Sequence, residues 1–201
     1  MAMADADFLQ VRRRNPSNLN KQPAAPEQYF SEASFHSRYD GRFAQRALAY
    51  DEQKNVTKNL VQTYLTSAAD LGVETWLTHS ALLGWWWGKK VLPWDAAIDV
   101  QITEASIHYL ASYYNMSSFY YETAEYPDGN NYLLEINPNY VDREDAKGLN
   151  SVDARWIDTD TGMFIDIFAV RYDLANPAGE GMLYTKDGQE FLVRSFFAPR
   201  V

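Results

Sequence analysis

Three short turns divide the second half of this chain into pairs of strand-forming runs. Pro127-Asp128-Gly129-Asn130 separates Phe119–Tyr126 from Tyr132–Ile136. Asp160-Thr161-Gly162 separates Ala154–Ile157 from Met163–Val170, and Lys186-Asp187-Gly188 separates Met182–Thr185 from Glu190–Val193. A Gly-containing turn between such runs is a hairpin signal, so this half is committed to antiparallel ladders. The first half has a different period. From Glu52 to Leu71, Val56, Leu60, Val61, Tyr64, Leu65, Ala68 and Leu71 recur at steps of three and four, which predicts an amphipathic helix closed by Gly72. Val73–Thr78 alternates as a strand, Ser80–Trp87 is an apolar helical turn, and a second strand runs from near Ala97 to Ile102. Thr103 then caps a helix through Tyr114, with Ile107, Leu110, Ala111 and Tyr114 on one side. The fold class is therefore α+β, a mixed or mostly antiparallel sheet with helices packed on it.

The length of 201 residues suits one domain. Residues 1–34 are polar, hold Arg12-Arg13-Arg14 and show no period, so they read as a flexible arm, and 35–201 as the folded domain. A formal net charge of −9 disfavours nucleic-acid polymers and a broad basic membrane face. With no Cys, disulfides, thiolate metal sites and cysteine nucleophiles are excluded. No apolar run is long enough to span a bilayer, and Met1–Phe8 lacks the apolar core of a signal peptide. The sequons at Asn55 and Asn115 permit a secretory location.

Trp76 to Gln101 is the most informative window. A strand ends in the small-residue turn Ser80-Ala81, an apolar elbow runs from Leu82 to Trp87, and Asp95 and Asp99 precede a strand. On a regular strand residues four apart lie about 13 Å from each other, so these two acids share an ion only if 93–97 turns. Asp166 is a third candidate: period two places it with Phe164, Phe168 and Val170, where a carboxylate is costly unless paired, hydrogen-bonded or metal-bound. Lys89 and Lys90 are suited to a pyrophosphate. Trp87 and Trp94 are suited to stacking on a sugar or base. Arg155 is a candidate for the same cleft. His79 adjoins the turn and reads as structural.

This window resembles the signature of the LicD/fukutin family, roughly H-G-[ST]-L-L-G followed by P-W-D-x-D-[IL]-D, and Trp85-Trp86-Trp87 matches its fungal, mannosylphosphate-transfer branch. Tyr39–Phe43, Asn131–Pro138 and Asp153–Gly162 resemble further blocks of that branch in the same order. The resemblance implies a nucleotidyltransferase-like fold. It also implies metal-dependent transfer of a phospho-sugar from a nucleotide donor to a glycan, with Mn²⁺ or Mg²⁺ on hard oxygen ligands. It casts Asp95 and Asp99 as metal ligands, Asp166 as base or further ligand, and Ser80 at the phosphate turn.

Two departures stand at the chemical motifs. Position 97, where the family's second acid falls, is Ala, and the Gly-[ST] turn is Ser80-Ala81, which adds a Cβ where phosphate would approach. The family pattern also continues past Phe196-Phe197-Ala198-Pro199 with acceptor-side helices, so the domain is expected to be short at that end. Three readings follow: a metal-dependent mannosylphosphate-type transferase, a non-catalytic regulatory pseudoenzyme, or a metal-independent catalyst on a small molecule using Asp95, Asp99 or Asp166. The expected partners are a nucleotide-sugar or other small molecule and a glycan. By resemblance the expected location is the secretory pathway or Golgi lumen, with the cytoplasm as alternative.

Overall fold

The computed structural model describes residues 28–92, 95, 98–143, 149–173 and 182–192. Two short strands come first, β1 (Glu32–Ala33) and β2 (His36–Asp40). The long helix α1 spans Tyr50–Asp70. The Glu52 carboxylate accepts from the Ala49 amide at 2.9 Å, satisfying one donor ahead of the first turn. Val56, Leu60, Tyr64 and Ala68, four apart, are its buried stripe, while Leu65 is exposed. Gly72, at φ +69°, ends the helix as the periodicity predicts.

The remaining elements are β3 (Thr75–Leu77), α2 (His79–Gly88), β4 (Ile98–Thr103), α3 (Glu104–Tyr113), β5 (Ser117–Tyr121), β6 (Asn130–Ile136), β7 (Ala154–Asp158), β8 (Phe164–Tyr172), β9 (Met182–Tyr184) and β10 (Glu190–Leu192). The central sheet runs β3-β4-β8-β7-β6-β5. Every pairing in it is antiparallel except β4 with β8, which is parallel. Beyond the end of β7, the last residues of β8 pair with β9, which pairs with β10. The mixed sheet with packed helices is the α+β architecture expected.

Three local differences from the expectation have physical causes. The 80–87 segment is a full ten-residue helix, because Ala81 and Gly84 give it a small-residue face that packs close. A Cβ on Gly84 would lie 2.7 Å from the Lys90 carbonyl oxygen, where the chain folds back across the helix. β5 stops at Tyr121, ahead of a tight bend in which Thr123 donates to the Tyr126 carbonyl. Residues 28–34, grouped with the arm by composition, carry β1 and the buried Phe30. A two-residue ladder is too short to show a period. Residues 1–27, Trp94 and Ala97 lie outside the described residues.

The two sheet faces have different partners. One packs Tyr132, Leu134, Ile136, Trp156, Ile165, Ile167, Ile98 and Val100 against Leu60 and Tyr64 of α1 and Ile107 and Leu110 of α3. At its centre the Trp156 ring stacks on Tyr132, with centroids 5.7 Å apart and planes at 7°, and meets Tyr64 and Phe119 at its edges. The other face holds a small cluster of Leu133, Ile157 and Phe164 with Phe43, and the charged residues described below. Thr103 caps α3 by accepting from the Ser106 amide at 3.1 Å, as its position predicts. Trp156→Ala is expected to cost about 3–5 kcal/mol in a denaturant titration, since it empties the largest buried side chain at the α1–sheet contact.

Candidate functional site

The parallel register sets Asp99 of β4 directly against Asp166 of β8. Neighbouring strands lie about 4.8 Å apart, so residues at one register level present their side chains side by side. The next strand in the sheet sets Arg155 opposite Asp166, and the one after it sets Glu135 opposite Arg155. One cross-strand row therefore reads Asp99, Asp166, Arg155, Glu135.

Each buried charge in that row has a partner. Arg155 is 2% exposed and its Nε donates to Asp166 Oδ1 at 2.7 Å. Its guanidinium lies between the rings of Phe164 and Phe30, 3.7 and 4.7 Å from their centroids. Its Nη2 stands 3.7 Å from Glu32. Burial pushes the Asp166 carboxyl up; the charge and hydrogen bond of Arg155 oppose this, Asp99 raises it further and Arg38 lowers it. Glu135 is bound by Arg42 and by the Tyr29 hydroxyl at 3.0 Å. Arg42 also holds Asp40 with two donors at 2.9 and 2.7 Å. Burial works to lower the Arg42 pKa, but the bonds from Asp40 and Glu135 outweigh it and hold the guanidinium charged.

His79 closes the other end of the row. It is the first residue of α2 and takes a left-handed backbone, φ +50°, a conformation uncommon outside Gly, Asn, Asp and His. One ring nitrogen, Nδ1, lies 3.1 Å from Asp99 Oδ2 and the other, Nε2, 3.1 Å from Asp187 Oδ2. The hydrogen bond of Asp187, then that of Asp99, pushes the imidazole up to about 9 against the effect of burial. His79 is thus a cation at neutral pH, bridging two carboxylates. The hairpin that carries Asp187 is anchored by its neighbour Lys186, whose Nζ donates to the Asn139 carbonyl at 2.6 Å and sits 3.0 Å from the buried Asp153. Arg171 holds that same carboxylate at 2.8 Å.

The structure brings together Asp99, Asp166 and Arg155 of the residues singled out in the sequence. Ser80 follows His79 in the first turn of α2, half-buried. Trp87 lies about 12 Å along the helix from His79, exposed. Lys89 Nζ sits 3.7 Å over the Trp85 ring. Lys90 and Asp95 line a separate cavity of about 720 Å³ with Lys54, Lys58, His36 and Tyr50. Asp158 serves its turn, accepting from the Asp160 and Thr161 amides at 2.9 and 3.2 Å. His79, Asp187, Glu135 and Arg38 were not legible as site residues. Their partners lie up to 108 residues away in sequence, as for His79 and Asp187, and no local period marks such a pairing.

Among the described residues no three His, Asp or Glu side chains converge as a metal cluster. At the row itself the carboxylates of Asp99 and Asp166 are engaged by His79 and Arg155.

The fold is an α+β domain with a mixed sheet whose parallel joint pairs two carboxylates. The family model described as "LicD/FKTN/FKRP, nucleotidyltransferase domain" matches residues 72–197, and the chain belongs to that family. It is 28% identical over 162 residues to Mannosyltransferase regulator 4 of Saccharomyces cerevisiae, covering 75% of this chain and 14% of that protein. It is 30% identical over 163 residues to Mannosyltransferase regulator 14 of the same yeast, covering 75% of this chain and 17% of that one. The chain thus spans less than a fifth of the length of either relative.

The His79 bridge has a pH signature. A histidine raised on folding contributes stability that is complete below its unfolded value, near 6.5, and is lost as pH rises through about 9. Melting temperature measured in a chelating buffer is expected to fall across that window, and His79→Gln to flatten the fall. Arg155→Met is expected to destabilise by about 3–5 kcal/mol, because it strands the Asp166 charge in the sheet. The double variant Arg155→Met/Asp166→Leu should recover much of this loss in the same denaturant titration.

Proposed function

We propose that this domain serves the control of mannosylphosphate transfer to glycans, keeping the fold and carboxylate row of a phospho-sugar transferase without performing the transfer. The observation that carries the reading is the state of the Asp99–Asp166 pair. Both carboxylates are bound by protein cations, His79 and Arg155, and the acid that the family pattern places two residues before Asp99 is Ala97. Asp99 and Asp166 are each engaged by a protein side chain as they stand, so this arrangement does not fit a divalent ion, and no catalytic step is routed through a metal. The Ser80-Ala81 departure at the start of α2 supports the same reading. So do the names of the two yeast relatives, both mannosyltransferase regulators. In this reading the partners are a nucleotide-sugar or related small molecule and the glycan-modifying machinery, and the location is the secretory pathway.

A second reading, a Mn²⁺- or Mg²⁺-dependent transferase, is favoured by one observation: the parallel register sets two carboxylates side by side. Release of His79 from Asp99 would open one ligand position. The two readings separate in one experiment. Mn²⁺ and GDP-mannose are titrated by calorimetry, separately and together, into this chain and into Ala97→Asp, and mannosylphosphate transfer to a mannan oligosaccharide is assayed alongside. The family pattern has an acid at position 97, so Ala97→Asp is expected to gain Mn²⁺ affinity by at least about tenfold, a difference of roughly 1.4 kcal/mol. The chain as it stands is expected to show no Mn²⁺-dependent transfer. Transfer by the unaltered chain would overturn the regulatory reading in favour of the transferase.

A further inference from the structure

Helix α2 breaks the ordinary rule for apolar helices. A helix that is hydrophobic all round belongs inside a protein, yet of His79–Gly88 only Ala81 and Gly84 are buried. Leu82, Leu83, Trp85, Trp86 and Trp87 all stand in solvent, with Trp86 73% and Trp87 83% exposed. At 3.6 residues per turn these five side chains fan over about 200° of the helix. They form a convex ridge, not a platform or a groove. Contiguous exposed apolar surface of this kind marks an interaction site.

Charge selects the occupant. The chain carries 27 acidic residues and a net charge of −9, yet none of the acids falls between Glu74 and Asp95. That acid-free stretch holds the exposed ridge and, directly after it, Lys89 and Lys90. Lys89 turns the helix end with a left-handed backbone and lays its ammonium 3.7 Å over the Trp85 ring. The net acidity of the chain disfavours a broad basic face, but this cationic patch is local and tied to the tryptophans. Trp and Leu on the outward arc with Lys at the edge is the composition of helices that lie in a membrane interface, where indole rings sit at headgroup level. A ridge splayed over half the helix needs a cover that conforms to it from several sides, which lipid does and a preformed protein groove does poorly.

We propose that α2 docks this domain on an anionic bilayer surface, with Ala81 and Gly84 toward the sheet and the Leu82–Trp87 arc among the lipids. No helix among the described residues is long and apolar enough to cross a membrane, so this is interfacial seating and not spanning. It places the Asp99–Asp166–His79 row at the N-terminal end of the helix whose Leu82–Trp87 arc rests on the bilayer.

The test is co-sedimentation of the full chain with phosphatidylcholine vesicles containing roughly one third phosphatidylserine, with tryptophan emission recorded in parallel. Binding with a blue shift is expected, falling as salt rises. Trp86→Ser/Trp87→Ser is expected to lower the partition coefficient by at least about tenfold while leaving the melting temperature unchanged, since both rings are exposed. Lys89→Gln/Lys90→Gln is expected to reduce the preference for phosphatidylserine over pure phosphatidylcholine by about fivefold per lysine. Absence of vesicle binding by the folded chain, or binding that the tryptophan substitutions leave intact, would overturn the proposal. Self-association abolished by Trp86→Ser/Trp87→Ser, without vesicle binding, would also overturn it and assign the ridge to a protein contact.

Discussion

The site depends on the parallel pairing of β4 with β8. The other joints in the central sheet are antiparallel, and two of them, β5–β6 and β7–β8, are closed by local turns. This one is not local, since it joins residues 98–103 to 165–170. A shift of one residue would turn Asp166 into the apolar face occupied by Ile165 and Ile167, because the side-chain period of a strand is two. The register is held from that apolar side. Ile98, Val100, Ile165, Ile167 and Ala169 are all buried in the core under α1 and α3. Hydrophobic packing on one face thus sets the position of the charges on the other.

Those charges are stable because they come as an unbroken series of pairs. Desolvating a lone carboxylate costs several kcal/mol, and Asp40, Glu135 and Asp166 are nearly inaccessible. Arg42 and Arg155 alternate with them, and the rings of Phe30 and Phe164 lie against the Arg155 guanidinium. A second set, Asp153 with Arg171 and Lys186, fixes the β9–β10 hairpin and through it Asp187. His79 links the two sets. At the row itself the side chains of His79 and Arg155 stand against the carboxylates Asp99 and Asp166.

Helix α2 connects this interior to the surface. Its first residue contributes the imidazole to the row, its small residues seat it near β4, and its last turn presents bulky apolar side chains outward.

Much of the fold was legible in the sequence. The three Gly-centred turns located the hairpins, the steps of three and four in Val56, Leu60, Tyr64 and Ala68 located α1, and Thr103 marked the start of α3. These are local signals, set by backbone freedom at Gly and by side-chain period. Asp99 and Asp166 stood out singly, as acids beside apolar strands. Their juxtaposition did not, because β4 and β8 are joined by no short turn. Nor did the roles of His79 and Asp187, which lie in an apolar helix and a hairpin turn with nothing nearby to pair them. Sequence alone determined most of the elements, the family resemblance and the missing acid at position 97. Tertiary structure alone decided which charges meet, because strand register and ion pairing across a sheet depend on contacts between residues far apart in the chain.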